Sequence, residues 1–169
     1  VAQVNNYARP VFEQVAGGFS LTQNGSMFTL DFGDLVQGAG LATASLGVRN
    51  DVTAPADALS GTFALGAGSA VFTFTGFDQA IENLLAGQLF GGLGVSLDTS
   101  TLGLFDYSIV LHPYSKNASG FSGFLGDLTL ALRGSVVASA PVPEPSTLLL
   151  FGTGLAGLAG WRWRNRGKK

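Results

Sequence analysis

The sequence predicts an all-β body followed by a C-terminal apolar helix of transmembrane type. The body is expected to be an antiparallel β-sandwich of about seven or eight strands. Between residues 19 and 137, apolar and polar residues alternate with a period of two, and Gly, Asn and Asp interrupt the pattern roughly every 8–15 residues. From residue 148 a continuous apolar run replaces this alternation.

Each alternating segment places its apolar side chains on one face, as a half-buried strand requires. In chain order the faces are Phe28, Leu30 and Phe32; Ala42, Ala44, Leu46 and Val48; Phe63 and Leu65; Phe72 and Phe74; Val95 and Leu97; Phe105, Tyr107, Ile109 and Leu111; and Leu128, Leu130 and Leu132, with Val136 and Val137 last. The predicted core between the two sheets contains Phe28, Leu30, Val48, Phe72, Val95, Leu97, Ile109, Leu128 and Leu130.

Two stretches of the body are predicted as short helices. Pro10 to Gly17 has a weak helical pattern, and Phe77 to Ala86 places Ile81, Leu84 and Leu85 at helical spacing. The expected organisation is an N-terminal segment 1–18, a sandwich over 19–139, a Pro-rich linker over 140–147, an apolar helix over 148–163 and a basic tail over 164–169. We expect segment 1–18 to be a partner-binding or poorly ordered arm.

Length, Cys content and net charge limit the kinds of site and function that the chain can have. The 169 residues suffice for one domain and a tail, and the absence of Cys excludes a disulfide framework and a thiolate metal site. Residues 1–140 carry ten acidic side chains against Arg9, Arg49, Lys116 and Arg133, a net charge of about −6. An acidic body argues against nucleic-acid binding, which requires a basic face. The first residue, Val1, predicts that an N-terminal piece is missing, either a cleaved signal peptide or the start of an incomplete reading frame.

The C-terminal segment combines three different pieces in series. Pro143 and Pro145 fix φ and remove two backbone donors on either side of Glu144. The apolar run that follows is expected to anchor the chain through Leu148, Leu149, Leu150, Phe151, Leu155, Leu158 and Trp161. Five of the nine Lys and Arg residues then form a basic stop, namely Arg162, Arg164, Arg166, Lys168 and Lys169.

These pieces, in this order, resemble the PEP-CTERM sorting signal of bacterial surface proteins, whose Pro-Glu-Pro falls on Pro143, Glu144 and Pro145. The resemblance covers about the last 27 residues. It implies export, transient retention in the inner membrane by the tail, and cleavage near Pro-Glu-Pro by the membrane protease-transpeptidase exosortase. The product would then be at the cell surface or extracellular. A plain membrane anchor would share the apolar run and the basic end, but it would not explain the Pro-Glu-Pro ahead of them.

The apolar run is short for a membrane helix. Residues 148–161 provide 14 positions, whereas a full crossing takes about 20. Trp161 and Trp163 suit the membrane interface, and long Arg side chains can extend toward the headgroups. A short, Gly-rich helix therefore favours a temporary anchor.

The body resembles the choice-of-anchor class of bacterial surface domains. The resemblance rests on Leu46–Asp51, Ala54–Gly61, Leu85–Gly87, Val95–Thr99, Lys116–Gly120 and Leu128–Gly134, in that order. It implies an immunoglobulin-like sandwich and no catalytic residue.

Candidate chemistry in the sequence is sparse. Gly152–Gly157 spells GxGxxG, but it lacks the following βαβ unit and acidic residue of a dinucleotide site. The single histidine, His112, precedes Pro113 at an expected strand end, and alone it favours a surface or strand-edge role over a zinc site.

Loop acids and sequons have similarly plain interpretations. Asp51, Asp57 and Asp98 could bind calcium, but without Asp-x-Asp-x-Asp spacing they are interpreted as solvated turn acids or caps. Asn24–Ser26 and Asn117–Ser119 match the glycosylation sequon and are interpreted as turns. We therefore predict no catalytic residue, no metal and no cofactor.

The function predicted from the sequence is that of a non-enzymatic, exported surface or matrix protein. Its expected partners are exosortase, the inner membrane transiently, further copies of itself in an oligomer or filament, and extracellular polysaccharide, but not nucleic acid. Self-association would use strand edges or insertion of Val1 to Gly17 into a neighbour. The alternatives are a hydrolase or a polysaccharide-binding or adhesive module delivered by the same tail. The body's few candidate sugar-stacking residues, Tyr7, Tyr107 and Tyr114, favour the structural interpretation.

Overall fold

The computed structural model describes residues 5–66 and 70–140 and, in the tail, residues 150, 151, 153–156, 158 and 162. The chain divides into two compact units, Val1–Ala138 and Ser139–Lys169. The first unit contains eleven strands in its described part: β1 (Pro10–Ala16), β2 (Ser20–Asn24), β3 (Met27–Val36), β4 (Leu41–Asn50), β5 (Ala58–Leu65), β6 (Phe72–Thr75), β7 (Ile81–Leu84), β8 (Leu89–Asp98), β9 (Gly103–Lys116), β10 (Ser122–Phe124) and β11 (Leu128–Val137).

The strands form two sheets. The small sheet has the order β1-β4-β8-β6, and the large sheet has the order β2-β3-β11-β9-β5-β7, with β10 paired to the end of β9. The all-β sandwich predicted from the period-two pattern is therefore confirmed. It has more strands than expected because β1 and β7 lie in stretches predicted as helical and β10 is only three residues long.

The predicted core is confirmed residue by residue. All nine side chains named from the sequence are buried. Ring contacts link the two sheets, since Phe12 of β1 packs edge-on against Phe28 of β3 at 5.3 Å, and Phe32 of β3 lies 6.2 Å from Phe72 of β6. These contacts combine large apolar burial with the offset geometry that aromatic pairs prefer.

The large sheet is mixed, so the prediction of a purely antiparallel sandwich is wrong. β11 pairs in parallel with β3 on one side and antiparallel with β9 on the other. Two residues of β3, Phe32 and Gly33, lie opposite Gly134, and Gly33 has a φ of +67°. A bulge of this kind needs the left-handed conformation that glycine adopts without strain. The period-two pattern could not reveal the direction of this pair, because both pairings give the same alternation.

The helix predicted over Pro10 to Gly17 is wrong. These residues form β1, which pairs with β4 from Pro10 opposite Asn50 to Ala16 opposite Ser45. Ladder hydrogen bonds to a distant strand and burial of Phe12 outweigh a weak local helical pattern. The sandwich therefore already includes residues within segment 1–18, which the sequence separated as an arm.

The helix predicted over Phe77 to Ala86 is also wrong. Its middle forms the short strand β7, which pairs with β5. Asn83 has a φ of +50°, and Gly76 and Gly87 on either side also have positive φ. Such a backbone cannot form a continuous right-handed helix. Of the three residues at helical spacing, Ile81 is buried in the core and Leu84 packs against it, whereas Leu85 is exposed.

Candidate functional site

The predicted anchor is helical at the positions that the structure describes. Residues 150, 151, 153–156, 158 and 162 are helical, and Thr153 Oγ1 donates a hydrogen bond to the carbonyl oxygen of Leu150 at 3.1 Å. Leu150, Phe151, Leu155 and Leu158 are exposed and line a shallow apolar concavity together with Gly154. Their spacing of three and four residues puts them on one face of the helix.

Arg162 of the predicted basic stop is helical and exposed. Among the residues with a described conformation, no helix is long and apolar enough to cross a membrane. The other predicted tail residues lie outside the described part: Pro143, Glu144, Pro145, Leu148, Leu149, Trp161, Arg164, Arg166, Lys168 and Lys169.

Asp57 is buried, so its interpretation as a solvated turn acid is wrong. The residue is 2% exposed, and its carboxylate accepts hydrogen bonds from Asn5 Nδ2 at 3.1 Å and from Ser115 Oγ at 3.0 Å. Ser115 Oγ in turn accepts from the backbone N–H of Ala8 at 3.0 Å. The carboxylate therefore joins the N-terminal segment to β9, which is a structural role.

Asn50 is a buried polar residue that the sequence analysis missed. Its Oδ1 accepts from the N–H of Arg9, and its Nδ2 donates to the carbonyl oxygens of Asp57 and Leu84. Because a buried amide without partners is costly, these bonds fix the position of the loops around it. An Asn at the end of a period-two strand, on the inward-facing position, is the only local signal that could have indicated it.

His112 lies within β9 rather than at a strand end. The strand continues through Pro113 because this residue lies where the strand paired with β9 changes from β11 to β10. No ladder hydrogen bond needs an N–H group at that point, so a proline is tolerated there. His112 Nδ1 lies 2.6 Å from Asp127 Oδ1 at a partly exposed position. The surface interpretation of this histidine is confirmed.

The remaining loop acids and sequons form ordinary local structure. Asp51 pairs with Arg9 at 3.4 Å, and Asp98 Oδ1 accepts from the N–H of Ser100. Asn117 caps its own loop, and Gly25 and Ser26 form the turn between β2 and β3. Within the described residues, no group of three or more His, Asp or Glu side chains could hold a metal ion.

Glu13 and Arg49 form an ion pair on the outer face of the small sheet. Arg49 Nε donates to Glu13 Oε2 at 2.7 Å, and Arg49 Nη1 donates to the carbonyl oxygen of Gly87. This hydrogen bond, supported by the opposite charge, lowers the pKa of Glu13 and raises that of Arg49.

The outer face of the large sheet carries a shallow groove of about 870 Å³. Arg133 of β11 lies in register between Asp31 of β3 and Asp106 of β9, and Asp34 and Leu104 also line the groove. The groove therefore has a row of three charged residues across its strands, and the exposed Leu104 lies at its border.

Two exposed aromatic pairs lie at the hairpin formed by β9 and β10. Tyr7 and Phe121 are stacked with ring centroids 5.6 Å apart, and Tyr114 and Phe124 lie 5.4 Å apart. Gly123 has no side chain, and a Cβ there would lie 2.6 Å from the ring of Phe121. All four residues are at least 40% exposed.

Comparison with known proteins assigns the tail. Residues 141–166 match the model of the PEP-CTERM protein-sorting motif. This chain carries a PEP-CTERM sorting signal. The predicted resemblance of the tail is therefore confirmed, and the motif implies export, processing by exosortase, and a surface or extracellular location. No curated protein matches the chain in sequence.

Solved structures resemble the sandwich. The PapD-like domain 7 (ASH / PapD-like domain) of human CEP192 is 9% identical, with a TM-score of 0.51, covering 82% of this chain and 92% of that one. AggA, the major subunit of aggregative adherence fimbriae type I from Escherichia coli, is 10% identical with a TM-score of 0.40, covering 81% and 100%. The Vibrio cholerae protease VesB is 19% identical with a TM-score of 0.45, covering 69% and 31%.

The first of these likenesses supports a PapD-like fold for the sandwich and nothing further, and the other two scores are too low to support an inference. PapD-like domains share the two-sheet architecture of immunoglobulin domains. The choice-of-anchor resemblance of the body stays a prediction.

Proposed function

We propose that this protein is a non-enzymatic structural component of the bacterial cell surface or extracellular matrix. In this proposal the tail holds the exported chain in the inner membrane until exosortase cuts near Pro143-Glu144-Pro145. The sandwich is then the mature part that reaches the outside.

The observation that carries the proposal is the sorting motif over residues 141–166. The exposed apolar face of the tail supports a membrane-held intermediate, since Leu150, Phe151, Leu155 and Leu158 are helical and unburied in the described tail. An interfacial Trp and a basic end would complete such an anchor.

The test is the intact mass of the protein recovered from a host that has exosortase. The expected mature species lacks Trp161 to Lys169, and the same host without exosortase retains the full chain. A matched variant, Glu144→Ala, tests the motif, while Ser139→Ala just ahead of it serves as control. Recovery of the complete basic C-terminus at full stoichiometry outside the cell would leave a simple anchor and overturn sorting by cleavage.

Self-association of the mature sandwich is the finer part of the proposal. The described sheet edges are β1 and β6 in the small sheet and β2, β7 and β10 in the large one, each of three to seven residues. Short edges leave few unpaired backbone groups, so we expect association through side-chain faces rather than strand addition. Light scattering on residues 1–140 at rising concentration checks this, and a constant monomer mass with no fibres by electron microscopy would contradict it.

Polysaccharide binding is a second candidate, favoured by the exposed aromatic pairs Tyr7–Phe121 and Tyr114–Phe124. Exposed rings offer flat apolar surface beside polar groups, as ligand sites do. Affinity electrophoresis in gels containing the host's extracellular polysaccharide measures this directly. Retardation that Tyr7→Ala and Tyr114→Ala abolish, and that Leu85→Ala leaves unchanged, would support it.

A further inference from the structure

One end of the sandwich has an apolar rim at the point where the chain leaves for the tail. Val36 at the end of β3 pairs with Val137 at the end of β11, and Val136 pairs with Gly103, which brings Leu102 alongside Val137. Val36, Val137 and Leu102 are 48%, 39% and 49% exposed, and Leu104 is 85% exposed. We call these four residues the apolar rim.

The rim is held in place by the loops around it. Gln37 donates from its backbone N–H to the carbonyl oxygen of Val137 at 2.8 Å, and its Nε2 donates to the carbonyl oxygen of Ser100 at 2.9 Å. The loop after β3 and the loop before β9 are thereby tied together. The rim is therefore built on bonded backbone rather than on a loose loop.

Polarity changes along the sheet away from the rim. Two residues inward from Val137 along β11, Ser135 lies in register with Asp34 and Leu104. Two residues further in, Arg133 lies in register with Asp31 and Asp106. The sheet thus ends in the apolar row of Val36, Val137 and Leu102, followed by a mixed row that contains the rim residue Leu104 and then by a charged row. This order is the one that a protein surface needs in order to touch a lipid interface with its edge alone.

We infer that the apolar rim contacts the lipid surface while the tail anchors the protein. This inference rests on the proposed membrane-held state. β11 ends at Val137, and ten residues, 138–147, separate it from the apolar segment. Ten extended residues span at most about 36 Å, so the rim stays near the bilayer whenever the tail is inserted.

The connection through residues 138–147 also explains how four aliphatic side chains can be enough for contact with lipid. Linking a weak contact to an inserted anchor replaces a bimolecular encounter by an intramolecular one, with an effective concentration of about millimolar for a short linker. The rim would therefore contact lipid before cleavage and lose this contact after it. Asp34 and Asp106 lie close to the rim, so we expect zwitterionic lipids to be favoured over anionic ones.

The absence of Cys allows a clean test on the full chain. A single reporter, Thr101→Cys next to Leu102, carries an environment-sensitive fluorophore, and Asn24→Cys carries the same label at the other end of the large sheet. The ten residues of β3 separate these ends by about 30 Å. Both proteins are inserted into phosphatidylcholine vesicles that contain lipids brominated on their acyl chains.

The chain supplies its own control for tail insertion, because both Trp residues, Trp161 and Trp163, lie in the tail. We expect quenching of Trp fluorescence and of the label at position 101, and none of the label at position 24. Leu104→Ser should lower the quenching at position 101 without changing that of Trp. Leu85→Ser, at another exposed leucine next to Leu84 and therefore near the start of β5, should change neither.

Quenched Trp with an unquenched label at position 101 would overturn the inference and leave the proposed function standing. Unquenched Trp would mean that the tail does not insert, which overturns the membrane-held state and the inference together. A shift of the label at position 101 that rises with protein concentration in the absence of vesicles would assign the rim to a second copy instead.

Discussion

Phe72 in the sandwich and Phe151 in the tail are the same residue type in opposite surroundings. Phe72 is buried between the sheets, 6.2 Å from both Phe32 and Tyr107, whereas Phe151 is an exposed residue of a helix. The first residue stabilises the fold through packing, whereas the apolar surface of the second is not covered by the described residues. The difference shows that burial, and not residue type, decides which apolar side chains hold the fold together, and in the proposed function the exposed ring of Phe151 contacts the membrane.

The largest expected effect comes from truncating these two rings in parallel. Phe72→Ala should lower the free energy of unfolding by about 3–5 kcal/mol, because burial is lost and a cavity remains. Phe151→Ala should leave the urea midpoint unchanged, as followed by circular dichroism without lipids. Equal effects of the two substitutions would show that the tail residue packs on protein.

Asp57 and Asp51 provide the next comparison, between a buried and an exposed carboxylate. Asp57→Ala removes the acceptor for Asn5 and Ser115 and should cost about 1–3 kcal/mol through the unpaired buried groups. Asp51→Ala, which removes an exposed ion pair, should give a nearly wild-type midpoint in the same urea titration. An unchanged midpoint for the Asp57 variant would contradict the structural role of this network.

Glycine gives a third comparison, in which the same Gly→Ala substitution should lower the stability of the sandwich at one position and raise that of the tail helix at another. A Cβ at Gly134 would lie 2.5 Å from Leu97 Cδ2 and 3.2 Å from Phe32 Cβ, so Gly134→Ala should destabilise the sandwich by about 1–3 kcal/mol. A Cβ at Gly154 would meet no atom within 4 Å, and Gly154→Ala should favour the helix by roughly 0.5–1 kcal/mol. Thermal unfolding of the body and the helical circular dichroism of a tail peptide in detergent measure the two effects.

The smallest expected effect is the pH dependence of the Glu13–Arg49 pair. Because the folded-state pKa of Glu13 is lowered, the pair stabilises the protein above the ordinary value of 4.5 and loses this contribution as the pH falls through the folded pKa. The difference in melting temperature between wild type and Glu13→Gln should therefore be small at pH 7 and shrink as the pH falls from 4.5 toward 3. A difference that grows toward pH 3 would contradict the assigned direction.

Sequence pattern predicted the parts of this molecule that depend on local periodicity or on order along the chain. The faces of β3, β8 and β11 follow from alternation, and the sorting tail follows from Pro-Glu-Pro, an apolar run and a basic end. Neither β1 nor the burial of Asp57 could be predicted in this way. Both depend on partners far away in sequence, since β1 pairs with β4 and Asp57 bonds to Ser115, 58 residues away.

The central position of β11 has a mechanical consequence. β11 leads to the tail, yet it lies inside the large sheet, bonded to β3 on one side and β9 on the other. A pull at the C-terminus that is directed along this strand would load both ladders together in shear. An edge strand in the same position would be peeled away one bond at a time. The chain is thus attached to its tail through a strand that is bonded on both sides.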